Sequence, residues 1–159
     1  MESKVYVEVS SIRLEEETET PIMILHEPNT NKVLPIWIGT IEAVSIAYAQ
    51  EGFVHPRPQT HDLLVNIIEA LNSKILEVCI TDIKDKTYFA EITLLTDSGE
   101  VKLSSRPSDA IALALRTSSK VSVDYDLFYN NAIELIEEET VDIEDFIDFI
   151  NNVNPNDFT

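Results

Sequence analysis

The chain has 159 residues, 44% hydrophobic and 25% charged, with a formal net charge of −18. Such numbers suit one soluble globular domain with a sizeable core, and no stretch approaches the roughly 18 apolar residues of a membrane span. The charge argues against a general nucleic-acid coat, because phosphate would be repelled. It is uneven, however: residues 121–159 hold 11 Asp or Glu and no Lys or Arg, so the body is only mildly acidic and has room for a basic patch.

The opening stretch MESKVYVEVS has no apolar signal segment and reads as mature sequence. Alternation over Tyr6–Ile12 predicts a half-buried strand. PIMILHE and VLPIWIG flank the polar turn PNTNK as a hairpin, with Trp37 expected in the core. IEAVSIAYA then predicts a helix. THDLLVNIIEAL predicts another, with Leu63, Leu64, Ile67, Ile68 and Leu71 at helical spacing and Thr60 as its N-cap. Glu77–Ile83 reads as a strand, and YFAEITLL and EVKLSS flank the turn TDSG. SDAIALALR follows as a helix that is apolar nearly all round, a pattern expected at the centre of the fold or at a subunit contact. DLFYNNAIELIE is a weaker helical match. VDIEDFIDFINN places Ile143, Phe146, Ile147 and Ile150 on one stripe of a last helix.

These elements repeat. Val7, Val9 and Ile12 answer to Val78, Ile80 and Ile83 at an offset of 71, and Ala43 and Ala47 answer to Ala110 and Ala114 at an offset of 67. The expected fold is α+β: a duplicated strand-strand-strand-helix-helix unit packed as one domain over residues 1–136, with an acidic helical tail over 137–159. The apolar helix and uncovered hairpin edges lead us to expect a homodimer. Cys79 is the single cysteine, which fits a reducing, cytoplasmic setting.

Two stretches carry the chemistry. RPQTHDLL (Arg57–Leu64) and SSRPSDAIALALR (Ser104–Arg116) each place Arg-Pro ahead of a hydroxyl residue, an Asp and a helix, in a chain with 4 arginines. Helix capping explains Thr60 and Asp62 on its own, with Ser105 or Ser108 capping the second helix and Arg106 pairing with Asp109 or Glu42. The functional reading is an anion site in which arginine forks and helix N-termini hold phosphate. His61 or Asp62 would move a proton there. Glu42, Asp62 and Asp109 are candidates to hold a divalent cation such as Mg²⁺ through oxygen ligands. His55 and His61 match no common metal-ligand spacing.

LPIWIG with EA and IA beyond it, then PRP and THDLL, then RPSDAIALALR, in this order, resemble the bifunctional nuclease domain, a bacterial and plant family associated with DNase and RNase activity. The resemblance covers residues 5–130. The family signature falls here on Leu34, Pro35, Ile38, Gly39, Glu42 and Ala43, on Arg57, Pro58, Thr60, His61 and Asp62, and on Arg106, Pro107, Ser108, Asp109 and Arg116. This chain departs from it with Ser104-Ser105 where members often have Asp-Ala, and with Asp85-Lys86-Thr87 where they often have Asp-Gly-Thr. The resemblance implies a nuclease of DNA, RNA or both; we expect it to act without strong sequence specificity and without a membrane. In our assignment His61, Asp62 and Glu42 are catalytic, and Arg57, Thr60, Arg106, Ser108 and Arg116 bind phosphate. The alternative is a non-catalytic regulatory module that binds a nucleotide or a phosphate-bearing partner.

Overall fold

The computed structural model describes residues 3–135. The acidic tail expected over 137–159 lies outside them. The described chain is α+β, with two sheets and four helices. Short β1 (Lys4–Tyr6) is followed by a meander of β2 (Glu8–Leu14), β3 (Pro21–His26) and β4 (Lys32–Trp37). Helices α1 (Thr40–Gln50) and α2 (Thr60–Ala70) come next. A second meander consists of β5 (Lys74–Lys84), β6 (Thr87–Thr96) and β7 (Gly99–Ser105), and α3 (Pro107–Thr117) follows it. The chain continues through β8 (Lys120–Asp124), α4 (Tyr125–Asn131) and β9 (Ile133–Glu134).

The strand orders are β1-β8-β5-β6-β7 in the five-stranded sheet and β2-β3-β4-β9 in the four-stranded one. All neighbours are antiparallel except β5 and β8, which run parallel across the β6-β7-α3 crossover. The predicted strand over Tyr6–Ile12 is divided between the sheets. Val7 is the crossing point, and its amide still donates to the Val121 carbonyl of the first sheet at 3.0 Å. Each meander leads into a helix, α1 or α3, but the halves then diverge. The helix expected over DLFYNNAIELIE is present as α4 but ends at Asn131, where β9 follows, and β8 separates it from α3, whereas no strand separates α1 from α2.

Helix α3 is the centre of the molecule. It packs against β5, β6 and β8 and also against α1 and α2, while α1 reaches β3 of the other sheet. Ala110, Ala112 and Ala114 of α3 and Ala43 and Ala47 of α1 are all buried. Small side chains at a helix contact let two backbones approach closely. The apolar surface of α3 is therefore covered within one chain and gives no reason of its own to expect a partner. Ile111, Leu113 and Val123 join Met23, Leu25 and Leu34 in one continuous core.

Three local expectations are corrected. Trp37 is 53% exposed, its indole N–H donating to Glu15 at 3.2 Å. Strand parity explains this: Leu34 and Ile36 face inward, so Pro35 and Trp37 lie on the other side. Thr60 is the first residue of α2, and Gln59 is its N-cap. Arg106 is the N-cap of α3, with Pro107 in the first helical position, where its missing N–H leaves no hydrogen bond unmade. Ser108 lies buried inside that helix instead of capping it.

Candidate functional site

The first turns of α1, α2 and α3 meet at one cavity of about 380 Å³, lined by Glu42 and Ser45 of α1, Thr60 and His61 of α2, and Arg106, Asp109 and Arg116 of the third segment. Local sequence chemistry sets each approach. Gly39 ends β4's exit and has no side chain; a β-carbon there would collide with the Glu42 carboxylate, which folds back over the helix start. Pro56 and Arg57 form a bend ahead of α2, and the two prolines, Pro56 and Pro58, which fix φ and lack an N–H, keep a helix from continuing through it. The Asp62 carboxylate then accepts from the Gln59 amide at 2.9 Å, meeting one of the amides that a helix start leaves without a partner.

Charge pairs join the three helices. The Arg106 guanidinium donates to both Asp109 oxygens, at 2.8 and 3.1 Å, and reaches Glu42 at 3.0 Å. Arg116 emerges from the last turn of α3. It donates to Asp62 at 2.7 Å, to the Ser45 hydroxyl at 3.0 Å, to the Ser45 carbonyl at 3.3 Å and to the Ala112 carbonyl at 2.9 Å. The Arg116 side chain is 11% exposed, against 65% for Arg106, so the first is a structural hub and the second faces solvent.

His61 lies between these pairs. Its Nδ1 is 2.6 Å from the Ser45 hydroxyl and its Nε2 is 2.9 Å from Asp109. Burial alone would raise the Asp109 carboxyl, but hydrogen bonds from Arg106 and His61 outweigh it and hold the group below its usual value. An ionised Asp109 only accepts, so the proton on Nε2 donates to it. In the neutral ring Nδ1 then accepts from Ser45, whose oxygen in turn accepts from Arg116. Every polar atom of this chain of contacts has a partner.

The expected site residues divide accordingly. Glu42, Thr60, His61, Arg106, Asp109 and Arg116 line the cavity, and Asp62 braces it through Arg116. Ser108 does not line it. Arg57 does not line it either: its guanidinium has no hydrogen-bond or ion-pair partner among the described residues, and its carbonyl accepts from Gln59. The two Arg-Pro turns are thus unlike, one tied down and one free. The acids proposed for a metal are each engaged by arginine or histidine. Among the described residues no three His, Cys, Asp or Glu side chains converge as a ligand set.

Sequence reasoning missed Ser45 and Tyr48 and weighed His55 only as a metal ligand, yet all three line the cavity. Ile41, Ser45 and Tyr48 were legible as a helical stripe at spacings of three and four, but a serine in an apolar helix carries no motif. His55 packs edge-on to Tyr48 and Phe53, with ring centroids 4.9 and 4.8 Å away. A second groove of about 580 Å³ shares His55 and Arg116 with the cavity and runs past Pro56 and Pro58.

Acid should dismantle this network. For Asp62, as for Asp109, burial raises the carboxyl, and hydrogen bonds from Arg116 and the Gln59 amide bring it net below its usual value. A depressed folded value means that the stabilisation is present above the unfolded carboxyl value of about 3.9 and is lost as pH falls below it. Urea midpoints measured from pH 6 downward are expected to fall more steeply for wild type than for Asp62→Asn or Asp109→Asn. Equal slopes would mean that these carboxylates are not held by their arginines in solution.

Among the described residues no helix is long and apolar enough to cross a membrane. An uncharacterized protein of Mycobacterium tuberculosis is 37% identical over 161 residues, covering 96% of each chain. Bifunctional nuclease 1 of Oryza sativa subsp. indica is 24% identical over 119 residues, and Bifunctional nuclease 2 of Arabidopsis thaliana is 26% identical over the same length. Each plant match takes in 73% of this chain and 36% of the relative. A family model described as the bifunctional nuclease domain matches residues 23–135, a span holding the cavity and all three of its helices, and the chain belongs to that family.

Proposed function

We propose that the protein is a nuclease that hydrolyses phosphodiester bonds of DNA, RNA or both at the three-helix cavity. The carrying observation is the meeting of three helix N-termini, two guanidiniums and one buried histidine in one cavity. Helix N-termini and arginine forks favour a phosphate, and a histidine held on both ring nitrogens is set for proton transfer. Exposed Arg106 meets the scissile phosphate, and Arg57, unpaired among the described residues, holds a neighbouring one. The names of the plant relatives support the same reading.

A binding module without catalysis is favoured by one observation: Arg106 and Arg116 are already neutralised by Glu42, Asp109 and Asp62. Purified protein assayed on labelled single- and double-stranded DNA and RNA, with Mg²⁺ or EDTA, separates the two readings and also reads any requirement for a divalent ion. Cleavage that His61→Ala abolishes supports the nuclease. Tight binding without cleavage in either condition supports the module.

Arg57→Ala is expected to weaken nucleic-acid binding by about tenfold or more, the loss of one charge-assisted contact of about 1.5–3 kcal/mol. The melting temperature should not change, because the Arg57 guanidinium has no hydrogen-bond or ion-pair partner among the described residues. A fall in stability with unchanged affinity would make Arg57 structural.

A further inference from the structure

We propose that Ser45 is the nucleophile of this site, attacking phosphorus to form a covalent phosphoseryl intermediate; the substrate class rests on the nuclease reading above. The Ser45 hydroxyl lies on α1 at the cavity wall, 2.6 Å from His61 Nδ1, and the opposite ring nitrogen is 2.9 Å from Asp109. A hydroxyl, a base within hydrogen-bond reach and a third group that orients the base form the geometric signature of an activated nucleophile. Asp109 is itself fixed by two hydrogen bonds from Arg106.

Two further features separate this arrangement from a histidine that merely satisfies its buried nitrogens. Both ring nitrogens of His61 are occupied and its side chain is 9% exposed, so its proton chemistry reaches the cavity through Ser45. The Ser45 oxygen also receives a hydrogen bond from Arg116 at 3.0 Å. A fixed positive donor on that oxygen stabilises the alkoxide that develops as the proton leaves. A packing role for Ser45 requires neither the cationic donor nor the open cavity.

The steps balance without any co-reactant except water. Ser45 Oγ forms a bond to phosphorus while its proton passes to His61 Nδ1. The bond from phosphorus to the leaving oxygen breaks, and that oxygen takes the proton from Nδ1, releasing one product with a hydroxyl end. Water then attacks the phosphoserine and gives a proton to Nδ1. The Oγ–phosphorus bond breaks, Oγ recovers the proton, and the second product leaves with a terminal phosphate. Asp109 supports the imidazolium in both halves.

The test is an alkyl fluorophosphonate, a phosphorus electrophile that traps activated serines, applied to the full chain and read by intact mass and peptide mapping. One adduct per chain on Ser45 is expected. It should be absent in Ser45→Ala and at least about 100-fold slower to form in His61→Ala, the usual scale of a lost general base. Melting curves confirm that both variants fold. Labelling of Ser45 in a protein that cuts no nucleic acid upholds the nucleophile and sinks the nuclease reading. An unlabelled wild type, together with wild-type cleavage by folded Ser45→Ala, overturns the nucleophile and leaves a nuclease in which water attacks directly.

Discussion

Replacing Arg116 with alanine is expected to lower stability by about 3 kcal/mol, as breaking a largely buried pair from one side does. For a chain of this size that corresponds to a melting temperature lower by about 6–12 °C. Arg116, like His61, joins all three helices of the site, through Asp62 on α2, Ser45 on α1 and a carbonyl of its own helix. Its removal leaves the Asp62 carboxylate with the Gln59 amide as its remaining donor and the Ser45 carbonyl without its guanidinium donor. Lysine should recover little of the loss, because a single ammonium cannot reproduce the planar fork. In an Asp62→Asn background the same replacement should cost at least about 1 kcal/mol less, the coupling expected of contacting groups. A melting temperature within a degree or two of wild type, or no coupling to Asp62, would show that the hub is not formed in solution.

That hub also marks how far the sequence could be read. The strands and hairpins were legible because apolar residues alternate in β2, β5 and β6. The two Arg-Pro helix starts were legible because proline, a hydroxyl and an acid cluster within a few positions. Arg116 was singled out only through the resemblance, since a basic residue in a last helical turn ordinarily serves the helix dipole. Its partners are 54 and 71 residues away along the chain, and no local pattern encodes such a pairing. Trp37 was misplaced because its size outweighed parity: Leu34 and Ile36 had already fixed which side of β4 is inner. The split of the first strand at Val7 was beyond reach for a different reason. Alternation continues smoothly through Val5, Val7 and Val9, and only the pairing with β8 reveals that the chain changes sheets there.

His61→Ala is expected to lower the rate of phosphodiester cleavage by about 10²–10⁴-fold, the usual worth of a positioned general base or acid. The loss should fall on kcat, with KM little changed, because His61 is 9% exposed and the arginines face the phosphate in its place. Some structural cost accompanies it. Ser45 and Asp109 each lose a partner, and stranding a polar group of this kind costs about 1–3 kcal/mol when it is buried. Ser45 keeps its bond from Arg116 and Asp109 keeps two from Arg106, so the expected stability loss lies at the low end of that range. His61→Gln separates the effects: its amide can donate to Asp109 and restore part of the stability, yet it cannot accept and return a proton. Recovery of the melting temperature without recovery of kcat therefore identifies His61 as a proton carrier. If glutamine restores the rate along with the stability, His61 is a strut between α1 and α3, and the chemistry of the cavity belongs to another group.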